Sequence, residues 1–314
     1  MQKQLTISLA KLLLYLFFTA AIIFTVKKIT LSGLKQNDLF SKLYQPGIKA
    51  ERYVYFLGTS RTKCAINDSL LNSNSTPYRF FNSGFGYGTF ISNIVLANKL
   101  MNQIDSAVIF IELSVANGRM PYTFSLVSDP SNTFASMWPV LQKTSFKDVY
   151  HVYGPFFENY FIDYINLKPY LKLYRSKYEL TDFFGQTKKY VSLQNNPGTF
   201  LLQEDLNNTL KKPAEIPSSY RIMIAQLLAK AENANTHIVF TLPVCMNSAE
   251  EKERVLAVYN SLPKKNKLVY SNAFLQQINN PNYLSDDIHL NVKGADVYTN
   301  YMKETLVEIL STPK

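Results

Sequence analysis

Apolar positions follow two different rules along this chain. From Leu12 to Val26 the sequence LLLYLFFTAAIIFTV carries no charge, and extended back to Leu5 the run is broken only by Lys11. A spanning helix needs about 20 such residues, and a lysine near its end can turn its stem toward the headgroups. The pattern predicts an uncleaved membrane anchor within residues 1–30, because the run is long for a signal peptide and no A-x-A site follows it. Lys3 and Lys11 precede the span and Lys27 and Lys28 follow it, so charge asymmetry does not orient it.

From about residue 50 short β-rich runs alternate with helical patterns. Tyr53–Leu57, Tyr78–Phe81, Ala107–Leu113, His237–Leu242 and Lys267–Tyr270 read as strands. Helical periodicity covers 89–103, 218–234, 248–262 and 292–311, with Ser218 or Ser219 as N-cap of the second. Alternation of this kind predicts an α/β fold over residues 31–314: a three-layer sandwich around a mostly parallel sheet, of flavodoxin-like type. Residues 118–217 interrupt it and read as a mainly helical insertion that holds Trp138 and an aromatic-rich stretch from Tyr150 to Tyr178. The insertion leaves after the third strand, so it is expected to border the carboxyl edge of the sheet. There some of Tyr150, Tyr153, Tyr160, Tyr164 and Tyr170 would line a groove, most other aromatics serving packing.

Composition narrows the class. With 46% hydrophobic, 14% aromatic and 18% charged residues, the chain is that of a folded protein. Lys and Arg number 33 against 23 Asp and Glu, a balance of +10 that suits an anionic membrane surface or acidic polymer, or simply solubility. No dense basic run or nucleic-acid motif is present, so nucleic acid is not an expected partner. Cys64 and Cys245 form no C-x-x-C, which excludes a zinc knuckle or thioredoxin-like site and leaves a disulfide or two buried thiols open.

Two segments carry candidate chemistry. The first is Gly58-Thr59-Ser60-Arg61-Thr62, directly after the first strand, where α/β sheets bind ligands. Gly58 would allow a tight turn; Ser60 would be a nucleophile or an ordinary N-cap. Arg61 would hold an anionic substrate group or a structural salt bridge. The second is Asp286-Asp287-Ile288-His289-Leu290-Asn291, just before the last helix. Asp286 lies three residues before His289, close enough to fix its tautomer while the other ring nitrogen takes a serine proton; alternatively the aspartates cap the helix. Glu112, at the end of the strongest strand, reads as an active-site acid or a helix-facing charge. His237 begins a strand and reads as structural; His151 falls in the insertion.

Together these segments resemble the first and last blocks of the SGNH/GDSL hydrolase superfamily, over about residues 50–113 and 235–311. The resemblance implies Ser60 as nucleophile, in G-T-S where the family has G-D-S, His289 as base and Asp286 as its partner. It places the oxyanion-binding glycine of the second block on Gly84, in Asn82-Ser83-Gly84-Phe85-Gly86. The third block departs: the family's G-x-N-D is here Glu112-Leu113-Ser114-Val115-Ala116-Asn117-Gly118, with Asn117 or Ser114 as the donor. Loss of one such donor costs about 10²–10³ in rate. The N-terminal span is similar to that of anchored envelope members, the alginate O-acetyltransferase-like and D-alanyl-lipoteichoic acid biosynthesis proteins. That likeness implies a catalytic domain outside the cytoplasm of a bacterium. Expected partners are the membrane, an acylated surface polysaccharide or envelope glycan, and a multispanning membrane acyltransferase. The implied chemistry is ester hydrolysis or O-acyl transfer, without metal or organic cofactor. A non-catalytic scaffold on the same fold is the alternative.

Overall fold

The computed structural model of the chain describes residues 2–35, 52–73, 77–86, 88–104, 106–115, 130–145, 197–207 and 215–311, with single positions at 147, 150 and 154. Helix α1 (Gln2–Lys35) is continuous. Its apolar side chains from Leu12 to Phe18 each leave more than half of their surface uncovered, as do Ile22 and Phe24. Among the described residues no helix is long and apolar enough to cross a membrane. The described side chains of α1 begin at Lys11, so the run expected from Leu5 lies partly outside them.

The described strands are β1 (Arg52–Gly58), β2 (Tyr78–Gly84), β3 (Ala107–Glu112), β4 (Thr199–Phe200), β5 (His237–Thr241) and β6 (Cys245–Met246). After α1 come helices α2 (Ser60–Ala65), α3 (Asp68–Leu71), α4 (Phe90–Gln103), α5 (Pro130–Leu141), α6 (Gln203–Asn207), α7 (Ser218–Asn233), α8 (Ala249–Ser261), α9 (Asn272–Ile278) and α10 (Val292–Ser311). Four strands form one parallel sheet in the order β2–β1–β3–β5; β4 and β6 form a separate antiparallel pair. The α/β class and the parallel sheet are therefore as the alternation of patterns predicts.

The register sorts side chains between two covered faces. Tyr55, Phe81, Ile111 and Phe240 share one face, where Phe90 of α4 packs on Phe240 and stacks on Tyr220 of α7 at 4.4 Å. Phe56, Phe110 and Glu112 share the other face, toward α2 and α10. Burial on both faces explains why β3 is a continuous apolar run, buried at every position.

Three local expectations are corrected. Lys267–Tyr270 is not a fifth strand but meets the sheet in a single bridge, Phe240 with Lys267. Side chains occupy backbone groups that a longer ladder would use: Asn266 Nδ2 donates to Ile238 O at 2.8 Å, Tyr259 Oη donates to Leu268 O at 2.5 Å, and Tyr270 Oη bonds both Leu242 N and Leu242 O at 2.8 Å. Neither Ser218 nor Ser219 caps α7; Pro217 is the cap residue, with no side-chain cap bond. Both serines fall inside the helix, and the Pro217 carbonyl accepts from Tyr220 N at 3.0 Å and Arg221 N at 3.3 Å. Gly58 does not serve a left-handed turn. A Cβ there would overlap the Thr62 side chain and stand 2.8 Å from Glu112 Oε2, so the position is small for space.

Of the expected insertion, α5 packs on α4 and α7 with Met137 and Val140 fully buried, and β4 returns the chain beside the loop that carries His289. Tyr150 is exposed. His151, Tyr153, Tyr160, Tyr164 and Tyr170 lie outside the described residues. Cys64 and Cys245 are buried and form no disulfide.

Candidate active site

The β1–α2 junction builds the serine. Gly58 ends β1, Thr59 is the N-cap of α2, and Ser60 is its first residue. Thr59 Oγ1 accepts from Arg61 N at 3.1 Å, the bond that starts a helix at a threonine cap. Ser60 thereby stands beyond the carboxyl end of a central strand, the position where parallel sheets place ligands. Gly88 holds this junction from the side: a Cβ there would come within 2.6 Å of Gly58 O and 3.2 Å of Thr59 Cα.

The histidine comes from the loop between the last 3-10 turn, Pro281–Tyr283, and α10. This loop is closed on itself by Ser285 N donating to His289 O at 2.7 Å and by an antiparallel bridge between Leu284 and Leu290. Asn291, buried at its base, donates from Nδ2 to Asn282 O at 2.7 Å and Leu284 O at 3.2 Å. From the other side Gly198, just before β4, donates its N–H to Asp287 O at 2.7 Å. A Cβ on Gly198 would overlap Met246 O and reach Ile288. The return arm of the insertion thus buttresses the histidine loop.

These two elements bring Ser60, His289 and Asp286 together. His289 Nε2 lies 2.7 Å from Ser60 Oγ, and Nδ1 lies 2.7 Å from both carboxylate oxygens of Asp286. Asp286 Oδ1 also accepts from the backbone N–H of His289 at 2.8 Å and of Ile288 at 3.2 Å. Partial burial acts to raise the Asp286 carboxyl, but the His289 and Ile288 amides and the imidazole outweigh it and hold it below the usual carboxylate range. It stays an anion, able to fix the Nδ1–H tautomer and leave Nε2 as a proton acceptor. Asp287 is exposed and its side chain takes no part in this arrangement.

A cleft of about 590 Å³ opens over the serine, bordered by Thr59, Gly86, Gly88, Asn247, Ile288 and His289 among others. Ser114 also borders it, and its hydroxyl is buried without a partner among the described residues. Asn117 lies outside the described residues. One of the expected roles meets a correction. Gly84 is packed beneath α2, where a Cβ would overlap Lys63 N. Its N–H already donates to Asn82 Oδ1 at 3.1 Å, so it is spent on structure. Arg61 is buried, its Nε 3.1 Å from Glu112 Oε1 and its Nη1 2.8 Å from Glu251 Oε1. Burial acts to lower its pKa, but the two carboxylates more than offset this and it remains a cation neutralised by protein groups. Of its two expected roles, the structural salt bridge is the one the geometry bears out.

Residue patterns missed three participants: Gly86, Asn247 and Ser248. Gly86 borders the cleft, and neither its N–H nor that of Ser60 has a partner among the described residues. Asn247 and Ser248, at the start of α8, form the opposite rim. Glu112 faces neither solvent nor the cleft but the backbone around Ser60. A charge inside the apolar run AVIFIEL was its signal in the sequence; the rim residues left none. Among the described residues no group of His, Cys, Asp or Glu is arranged to hold a metal ion. No protein-family model matches the chain, and no curated protein matches it.

Proposed function

We propose that this chain is a membrane-anchored serine esterase or O-acyltransferase of SGNH type, acting on acyl esters of a cell-surface polysaccharide or envelope polymer. The observation that carries the reading is the Ser60–His289–Asp286 chain of hydrogen bonds at 2.7 Å, open to a cleft that a substrate can enter. Ser60 Oγ attacks the ester carbonyl while His289 Nε2 takes its proton. The N–H groups of Ser60 and Gly86, without partners among the described residues, receive the oxyanion, and Gly84 N–H, bonded to Asn82 Oδ1, does not. The alcohol leaves with the proton from His289, and the acyl group stays on Ser60. Water then releases it, or a sugar hydroxyl accepts it, after giving its own proton to Nε2. No step calls on a metal or organic cofactor.

The anchor rests on α1. What supports it is the uncharged run Leu12–Val26, whose large apolar side chains from Leu12 to Phe18 are left exposed among the described residues, with Lys11 placed where it can reach headgroups. A catalytic domain on the extracytoplasmic side follows from the resemblance to anchored envelope proteins.

The test is labelling of the full chain by a fluorophosphonate. Wild type should be labelled at Ser60 and the S60A variant should not. Unlabelled protein incubated with an acyl ester and a polysaccharide then distinguishes hydrolysis, which yields free acid, from transfer, which yields acylated glycan. Wild type that resists labelling would overturn the enzymatic reading and favour a scaffold that binds a membrane acyltransferase or polysaccharide.

A further inference from the structure

The residues on either side of Ser60 converge on one buried carboxylate. Glu112, the last residue of β3, is 2% exposed. Its Oε1 accepts from Thr59 Oγ1 at 2.8 Å and Arg61 Nε at 3.1 Å. Its Oε2 accepts from Thr59 N at 3.3 Å, from Thr62 N at 3.0 Å and from Thr62 Oγ1. Every donor belongs to residue 59, 61 or 62; Ser60, between them, is left untouched. Gly58 supplies the room for Thr62 to lie over the strand and reach the carboxylate.

A buried carboxylate with its ion pair is costly to desolvate and is weak evidence of stability for its own sake, since an apolar residue would often serve as well. Here its acceptor sites are filled by a single turn of backbone, which specifies that turn's conformation. The network continues outward. Arg61 Nη1 binds Glu251 Oε1 at 2.8 Å, and Glu251 Oε2 accepts from Asn247 N at 2.8 Å and Asn247 Nδ2 at 2.7 Å. Asn247 and Ser248 form the rim of the cleft facing Ser60.

We propose that Glu112 is the positioning residue of the nucleophile turn. It clamps residues 59–62 so that Ser60 presents its Oγ to His289 Nε2 and keeps its own N–H unpaired. The Arg61–Glu251 pair extends the clamp to the Asn247–Ser248 rim, so the serine and the opposite wall of the cleft are held in register. Glu112 is not an acid or base of the reaction, because it does not border the cleft. The proposal rests on the catalytic reading of Ser60 for its kinetic consequence, but the placement of Ser60 against His289 can be read separately.

The isosteric change Glu112→Gln is the decisive perturbation. An amide nitrogen in place of Oε1 would face the N–H of Arg61; in place of Oε2 it would face the N–H groups of Thr59 and Thr62. Neither orientation satisfies the site, whereas shape and volume are kept. The full chain in detergent micelles is assayed with p-nitrophenyl acetate. Glu112→Gln should lower kcat about tenfold to a hundredfold with KM changed less than about threefold, the consequence of a misplaced but accessible nucleophile. Leu306→Ala, a cavity in α10 (Leu306 is 2% exposed), should lower the melting temperature at least as much and leave kcat within about twofold. Equal losses of kcat in the two variants would reduce Glu112 to a stabilising residue and overturn the proposal.

Histidine-labelled NMR supplies a readout that needs no turnover. In the wild-type background Ser60→Ala should shift the Nε2 resonance of His289; in the Glu112→Gln background it should leave that resonance unmoved. A full shift in both backgrounds would overturn the positioning role. Wild type without esterase activity would instead sink the catalytic reading, and the NMR comparison would still decide whether Glu112 places Ser60. If Glu112→Gln fails to fold, Thr62→Val replaces it in both experiments: it removes one hydroxyl donor and keeps the N–H, and wild-type kcat with an unchanged Ser60→Ala shift would overturn the proposal.

Discussion

Replacing Asp286 by Asn tests the geometry of the triad with the least disturbance of shape. Both carboxylate oxygens lie 2.7 Å from His289 Nδ1, and Oδ1 also accepts two backbone N–H groups. The amide oxygen of an asparagine must take the Oδ1 position, since an NH₂ group there would face those N–H groups. The NH₂ then occupies the Oδ2 position and donates to Nδ1. That favours the tautomer with its proton on Nε2, which donates to Ser60 Oγ and cannot take its proton. In another serine enzyme the corresponding change lowers kcat by about 10⁴. Here the retained oxygen is also within reach of Nδ1, and the Asp286 side chain is 37% exposed, so some productive tautomer persists. The expected loss in kcat/KM is therefore about 10²–10⁴, or about 3–5 kcal/mol of transition-state stabilisation. The assay is p-nitrophenyl acetate hydrolysis, with the fluorophosphonate labelling rate beside it and the melting temperature as a folding control. Asp287→Asn is the matched comparison, because that exposed side chain takes no part in the triad, and it should stay within about threefold of wild type. Activity of D286N within threefold of wild type, or equal losses in the two variants, would refute the assignment of Asp286.

The remaining predictions concern the anchor and the salt-bridge network. The full chain should stay with membranes through alkaline carbonate extraction, and a chain lacking residues 1–30 should be released; retention of the shortened chain would show that another surface holds it. Burial acts to raise the Glu251 carboxyl, but Arg61 and Asn247 outweigh it and hold it below the ordinary range. A depressed carboxylate pKa gives stability that is complete above the unfolded-chain value of about 4.3 and is lost as pH falls through the lower native value. The difference in urea midpoint between wild type and Glu251→Gln should accordingly be constant from about pH 7 to 5 and shrink below about pH 4. A difference that grows toward acid would contradict the paired state of Glu251.

The sheet was legible because its strands are buried on both faces. YVYFL, AVIFIE and HIVFT have no polar alternation to confuse with a helix, and all three appear within a residue or two of the expected bounds. KLVY has the same composition but fails as a strand. What decides it is the hydroxyls of Tyr259 and Tyr270 and the amide of Asn266, which take backbone positions of this segment, of β5 and of Leu242 just after it. Local pattern carries no information about such donors. The same holds for α7, where two serines suggest a cap but both fall inside the helix, which starts behind Pro217.

The site divides along the same line. D-x-x-H is legible because its hydrogen bonds are local: three residues of chain let Asp286 reach both the ring and the backbone of His289. The pairing of that loop with Ser60, 229 positions away, required the family resemblance to suggest and coordinates to describe. The choice among nearby glycines was not legible at all. Gly84, Gly86 and Gly88 sit in one short segment with equal claim by residue type, and the fold gives each a different task. Gly84 admits the backbone of α2, Gly88 admits the Gly58 carbonyl, and a Cβ on Gly86 would meet nothing within 4 Å. Small size is therefore required by packing at the first two positions. At Gly86 the neighbouring protein atoms make no such demand, and the open space lies on the cleft that holds Ser60. A glycine whose side-chain space is open, beside an N–H without a partner among the described residues, leaves room for an ester oxygen to approach, which is why the proposed oxyanion role is given to Gly86 and not to Gly84.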